Sequence, residues 1–148
     1  MNNWLYPLSR KSGNCFVDQN GKIISDTSFE SFKAIMRSPA PDDHWYLSTN
    51  YRQVQRKDRI WCYYGRQDKD QGIVGLATVV GVVHNERKGT HDVVLKWDKN
   101  RTARLLRNPV PASRVRQFIL RPRAPVWNLD RHPRLVSELL SHAGIAPK

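Results

Sequence analysis

Residues 44–80 read HWYLSTNYRQVQRKDRIWCYYGRQDKDQGIVGLATVV. The stretch predicts two aromatic-rich strands joined by a polar, basic turn, then a third strand punctuated by glycine. Strand alternation sets Ile60, Cys62 and Tyr64 on one face and Trp61 with Tyr63 on the other. Trp45, Tyr46, Tyr51, Trp61, Tyr63 and Tyr64 crowd together, with Arg52, Arg56, Lys57 and Arg59 among them. Flat π-faces hold a base outside its stack, and cations hold the phosphates beside it. Large aromatics equally fill the core of a small β-barrel. The flanking sequence has to weigh the two.

Working outward, strands are expected near 44–48, 58–64, 73–83 and 91–97, the last two joined by the charged loop 84–90. Gly72, Gly75 and Gly81 permit bulges or close backbone approach along the third strand. Upstream, Trp4–Leu8 is a strand candidate whose Pro7 marks an edge or a strand end. Residues 12–21 read as a glycine-containing loop, and residues 22–24 as a brief strand. Thr27 and Glu30 form a capping box ahead of a helix that buries Phe29, Phe32, Ile35 and Met36, and Pro39 and Pro41 stop it.

Downstream of Trp97 a basic, proline-punctuated stretch runs from Lys99 to Pro125, with a strand expected over Val115–Leu120. A closing helix has Pro133 near its start, Gly144 as its stop, and Leu135, Val136, Leu139 and Leu140 as its core-facing stripe. With no repeat or low-complexity tail, residues 1–148 form a single α+β domain. Its architecture is a curved, mostly antiparallel sheet or small barrel flanked by two or three helices.

The net charge is +12 and the pI about 10.2. That excess favours a polyanionic partner. The cations are spread through strands and loops instead of lining one face of an apolar helix, which favours nucleic acid over a membrane surface. A solvated basic surface is the bland alternative. Cys15 and Cys62 have neither CxxC spacing nor zinc-site partners, and Cys62 reads as a buried small hydrophobe. No apolar run is long enough for a signal peptide or a membrane span, so the chain is expected to be soluble and cytoplasmic.

Enzyme signatures fail one by one. There is no GxSxG elbow, no HExxH and no phosphate loop. His44, His84, His91, His132 and His142 are dispersed, so no metal site is expected. His84 and His91 flank one loop and are the only footing for a nuclease reading, without an acidic cluster to hold a divalent metal. Asp42 and Asp43 beside His44 read as turn caps. The expectation is a protein without catalysis and without a cofactor.

Several segments resemble the EVE domains of the PUA-like superfamily. Trp4-Leu5 is similar to their opening strand, and Lys57-Asp58-Arg59-Ile60-Trp61-Cys62-Tyr63-Tyr64 to their GD-x-hydrophobic-x-x-Tyr strand. Gly72-Ile73-Val74-Gly75-Leu76-Ala77-Thr78-Val79 is similar to their GI-x-G strand. Lys57 stands where that GD pair has glycine. Trp45 to Asn50 resembles the tryptophan, hydroxyl and asparagine segment of the related YTH domains, and Asp92 to Trp97 and Leu105 to Val110 resemble later YTH segments. The loop after the third strand holds no tryptophan, so a copy of the methyladenine cage is not implied.

What the resemblance implies is a PUA-like pocket for a flipped or single-stranded modified base, on DNA carrying a mark such as methylcytosine, or on RNA. An effector protein on another chain is a possible further partner. Trp45 is the first candidate wall, with Ser48, Thr49 and Asn50 as groups for the base edge. Tyr6, Tyr51, Trp61 and Tyr63 are further wall candidates. Arg52, Arg56, Arg87, Lys88 and Arg101 would hold flanking phosphates. Trp97 and Trp127 are assigned to packing. The alternative within this resemblance is a general RNA-binding module of RNA modification or translation machinery.

Overall fold

The computed structural model describes residues 1–8, 15–17, 23–24, 27–37, 44–49, 53–85, 90–122 and 126–145; at 15–17, 23–24, 44–49, 67, 84–85 and 90–92 it describes the backbone alone. Runs of β-branched and aromatic residues build the strands. They are β1 (Asn3–Leu8), β2 (Cys15–Val17), β3 (Ile23–Ile24), β4 (His44–Thr49), β5 (Arg59–Tyr64), β6 (Gly72–Asn85), β7 (Thr90–Trp97) and β8 (Trp127–Asn128). The helices are α1 (Phe29–Arg37), α2 (Lys99–Arg107), α3 (Ala112–Arg116) and α4 (Pro133–Ala143).

All eight strands join one sheet in the order β3-β2-β4-β7-β6-β5-β1-β8, which ends on two different edge strands and so stays open. The five longer strands carry it, and β2, β3 and β8 extend its margins. The sheet is mostly antiparallel, with one parallel pair: β1 runs parallel to β5, from Asn3 opposite Arg59 to Leu8 opposite Tyr64. A parallel pair needs a crossover in place of a hairpin, and here the chain passes through β2, β3, α1 and β4 between the two strands. The fold is therefore α+β with an open mixed sheet. β8 pairs with β1 at Trp4 and Leu5.

β6 serves both halves of the sheet. Residues 72–78 pair with β5, and residues 77–85 pair with β7. Register slips between Val79 and Gly81, leaving Val80 as an extra residue. Such a bulge bends a strand and increases its twist. A second slip between Cys62 and Tyr63 lies beside Gly75.

Two cores follow from helices covering both faces of β1, β5 and the first half of β6. One holds Trp4, Tyr6, Ile60, Cys62, Tyr64 and Leu95, with Phe32 of α1 seated on it. Phe32 meets Trp97 edge-on at a centroid distance of 5.6 Å. The opposite core holds Leu5, Trp61 and Leu76 against Leu105, Val115, Leu135 and Leu139 of α2, α3 and α4. Trp4 and Trp61 lie one in each core, and each indole N–H, which needs a partner once buried, finds one. Trp4 Nε1 donates to Asp58 Oδ2 at 2.8 Å, and Trp61 Nε1 to Asn3 Oδ1 at 3.0 Å.

Several helices differ from expectation. At the start of α1, Ser28 Oγ accepts from Ser31 N at 3.3 Å. Phe29 N donates to Asp68 Oδ1, at 3.1 Å. The expected strand over 115–120 is α3 and its following turn: Pro111 sits at the N-cap, and Val115 and Ile119 fall four apart on a buried face. α2 was not anticipated in the basic stretch. Asp98 caps it by accepting from Arg101 N, and it buries Thr102 and Leu105. α4 matches expectation, with Pro133 in its first turn and Gly144 closing it at φ 77°. Among the described residues no helix is long and apolar enough to cross a membrane.

Candidate nucleic-acid interface

The residues expected to form a base pocket divide sharply. Tyr6 and Trp61 are fully buried and Tyr63 is 2% exposed. Trp61 lies under the helices and its indole N–H is already engaged, so it packs where the sequence offered it as a wall. Tyr6 belongs to the core beneath α1. Tyr63 belongs to the helix-covered core, and its hydroxyl accepts from Arg116 Nη1 at 3.3 Å. Burial pushes that hydroxyl above its ordinary range, against the opposing pull of Arg116.

Trp45, Ser48 and Thr49 lie in β4, between β2 and β7, with Trp45 opposite Leu95, Ser48 opposite Asp92 and Thr49 opposite His91. Their side chains lie outside the described residues, as do Asn50, Tyr51, Arg52, Arg87 and Lys88. Arg56 is exposed in the turn before β5. Arg101 sits in the first turn of α2, paired with Asp98 at 2.7 Å. The β6–β7 register sets His84 opposite His91.

Electrostatics distinguish the surface more clearly than any one cavity. Each described carboxylate is engaged inside the molecule. Asp58 accepts from Asn2 N, Gln55 N and Trp4 Nε1. Asp130 accepts from Asn3 twice, and Asp68 accepts from Phe29 N. Glu30 pairs with Lys33, Asp98 with Arg101, Asp70 with Arg116 and Glu138 with Arg114. The guanidinium contacts hold the Asp70 and Glu138 carboxyls below their ordinary range. Arg56, Lys96, Arg107, Arg121, Arg131 and Arg134 stay exposed, with no ion pair among the described residues. Among the described residues, Asp58, Asp68, Asp70, Asp130 and Glu138 tie separate elements together, and these six cations face outward.

Two hollows open among the described residues. One, of about 330 Å³, lies where β6 and β7 meet the start of α2, lined by Thr78, Lys96, Trp97 and Lys99 among others. Trp97 contributes little area there, being only 4% exposed. The other, of about 450 Å³, lies between the turn after α3, β8 and the start of α4. Trp127 lines it and is 38% exposed. A signal for it was present: Trp127 stands among Arg121, Arg123 and Arg131, the same mixture of ring and cation that marks residues 45–64. Comparison with protein-family models, curated proteins and solved structures finds no match to this chain.

Proposed function

We propose that this chain is a non-catalytic nucleic-acid-binding module of the PUA-like, EVE-domain kind, which takes a modified nucleobase into a pocket at the β4 end of its sheet. The observation that carries the reading is the surplus of positive charge, +12 over the chain, with Arg56, Lys96, Arg107, Arg121, Arg131 and Arg134 exposed and without an ion pair among the described residues. A polyanion gains from such a surface without displacing any internal pair. Lys57 adds support for the family. It holds φ 77°, a conformation that favours glycine, at the position where the resembling motif has glycine. The nucleobase chemistry rests on the resemblance of Trp45 to Asn50, with DNA carrying a methylated cytosine as the leading ligand.

The test is fluorescence anisotropy at physiological salt. Matched DNA and RNA oligonucleotides, single- and double-stranded, would carry cytosine, 5-methylcytosine, 5-hydroxymethylcytosine, adenine or N6-methyladenine. The expected result is a preference of at least about tenfold, or about 1.4 kcal/mol, for one modified base, abolished in Trp45→Ala with the fold intact. Equal affinity across the panel would replace the reader by a general nucleic-acid-binding module. Absence of binding to every oligonucleotide would remove both.

A further inference from the structure

Arg59, Thr78 and Lys96 form one row across the middle of the sheet. Arg59 lies opposite Thr78 and Thr78 opposite Lys96, and residues paired in this way share a face. The row stands one step beyond the pair Trp61 and Leu76, on the face that α2, α3 and α4 cover. The cover gives out there: Trp61 is fully buried and Leu76 nearly so, Arg59 is half-buried, and Thr78 and Lys96 are exposed. Neighbouring strands lie about 4.8 Å apart, which sets the backbones of Arg59 and Lys96 about 10 Å apart with Thr78 between them. Lys57 N donates to Val79 O, which brings the exposed turn residues Arg56 and Lys57 to the same part of β6.

Neither cation of the row has an ion pair among the described residues. The carboxylates nearest to them in sequence are spent elsewhere. Asp58 is 2% exposed and accepts from Asn2 N, Gln55 N and Trp4 Nε1, while Asp98 caps α2 and pairs with Arg101. The backbone of the row is tied down on both sides: Arg59 N donates to Asn2 O at 2.9 Å, and Val79 N to Asp58 O at 2.8 Å. Cations carried on a fixed sheet lose less freedom on binding than cations on a loop. The hollow at the start of α2 abuts the row through Thr78 and Lys96, and its large apolar residue, Trp97, is only 4% exposed. The row and its hollow therefore offer charge and hydrogen bonds with almost no apolar anchor.

We infer that this row is a phosphate track, in which Arg59 and Lys96 hold two phosphates of one nucleic-acid strand and the Thr78 hydroxyl donates to the backbone between them. The inference deepens the nucleic-acid reading proposed above and rests on it. Protein ligands draw most of their affinity from a few large anchors seated in pockets. The row has no such pocket, so a phosphodiester backbone fits it better than an acidic peptide does. Contacts of this kind fix the position of a strand and carry no sequence information. The track therefore lays the strand across β5, β6 and β7 and is indifferent to the base modification.

The test measures binding of an unmodified thymidine 12-mer across a salt series by wild type, Arg59→Gln/Lys96→Gln and a charge-matched control, Arg37→Gln/Arg107→Gln. Arg37 ends α1, which packs on the opposite face, and Arg107 ends α2 just before the contact of Val110 with Ile73, away from the row. Melting and near-ultraviolet circular dichroism check that each variant stays folded, and Lys96→Gln alone, at an exposed position, serves if the double variant does not. The row variant is expected to bind about tenfold more weakly at 150 mM salt and to lower the slope of log affinity against log salt by about 1.4, with about half that change for Lys96→Gln alone. The control is expected to keep the wild-type slope. Preference for a modified base, where wild type has one, persists in the row variant. Equal losses in the row and control variants overturn the track in favour of diffuse charge. A row variant that binds like wild type overturns it and leaves the nucleic-acid reading standing, and so does a poly-glutamate peptide that wild type binds as tightly as the oligonucleotide and the row variant does not. No binding by wild type overturns the track and the nucleic-acid reading together.

Discussion

Asp58 shows how much one buried side chain can organise. Its carboxylate accepts from Asn2 N at 2.9 Å, Gln55 N at 2.9 Å and Trp4 Nε1 at 2.8 Å, and its backbone carbonyl accepts from Val79 N. It thereby ties the start of β1, the turn before β5 and the middle of β6 to one point. The neighbouring Lys57 donates its N–H to Val79 O at 2.7 Å, and to do so holds φ 77°. For a residue with a Cβ that conformation costs about 1–2 kcal/mol, partly offset by the chain entropy that glycine would lose on folding, about 0.5–1 kcal/mol. Lys57 is exposed, so its side chain forfeits little on removal. Lys57→Gly is therefore expected to stabilise the fold by up to about 1 kcal/mol, read as a higher urea midpoint at unchanged m-value; a lower midpoint would refute the strain. Residue by residue, alternation correctly separated Ile60, Cys62 and Tyr64 from Trp61 and Tyr63. What it could not supply was the covering of the second face, because α2, α3 and α4 arrive from more than thirty positions further along the chain. Aromatic content alone therefore did not distinguish the buried Trp61 from the half-exposed Trp127.

Among the elements, the strands were legible because dense β-branched and aromatic runs are bounded by turn residues, and β4 to β7 lie within about two residues of their expected limits. The helices of the C-terminal stretch were hidden. In α2 and α3 arginines occupy so many positions that the apolar stripe shrinks to Thr102, Leu105, Ala112 and Val115, too few for periodicity to stand out. The parallel partnership of β1 was equally hidden, since nothing local encodes a neighbour that lies more than fifty residues away. Glycines were better guides. Gly75 admits the Phe32 ring, with a Cβ at that position falling 2.7 Å from Phe32 Cζ. Gly72 combines φ 88° with a Cβ position only 2.0 Å from Val110 O, the oxygen that accepts from Ile73 N at 2.9 Å. This bond joins β6 to the segment leading into α3. Gly72→Ala must move backbone against backbone, and it is expected to cost about 3 kcal/mol or more. Thermal melting would show it, and a loss under about 1 kcal/mol would mean that the contact between β6 and Val110 is not needed for folding.

For the molecule as a whole, the net charge of +12 sets two opposing responses to salt. Screening weakens the exposed pairs Lys33–Glu30, Arg101–Asp98, Arg114–Glu138 and Arg116–Asp70, which contribute about 0–1 kcal/mol each. It also relieves repulsion among the unpaired cations, which extends over distances comparable to the Debye length of about 10 Å at 0.1 M. Contact pairs lie well inside that length and are screened least, whereas repulsion between separated surface arginines is screened most. The second effect should win, so melting temperature is expected to rise by a few degrees between 10 mM and 300 mM sodium chloride, roughly the shift that about 1 kcal/mol produces in a domain of this size. On the proposed reading, a nucleic-acid ligand acts on the same charges and binds their folded arrangement more tightly than the unfolded chain. At a hundredfold excess over its dissociation constant such a ligand would add up to about 2.7 kcal/mol, far beyond what its own ionic strength supplies. A single-stranded oligonucleotide at micromolar concentration should therefore raise the melting temperature in 150 mM salt, where further chloride does little. If oligonucleotide and chloride at matched ionic strength give the same shift, the outward-facing cations serve solubility, and the nucleic-acid reading falls with that result.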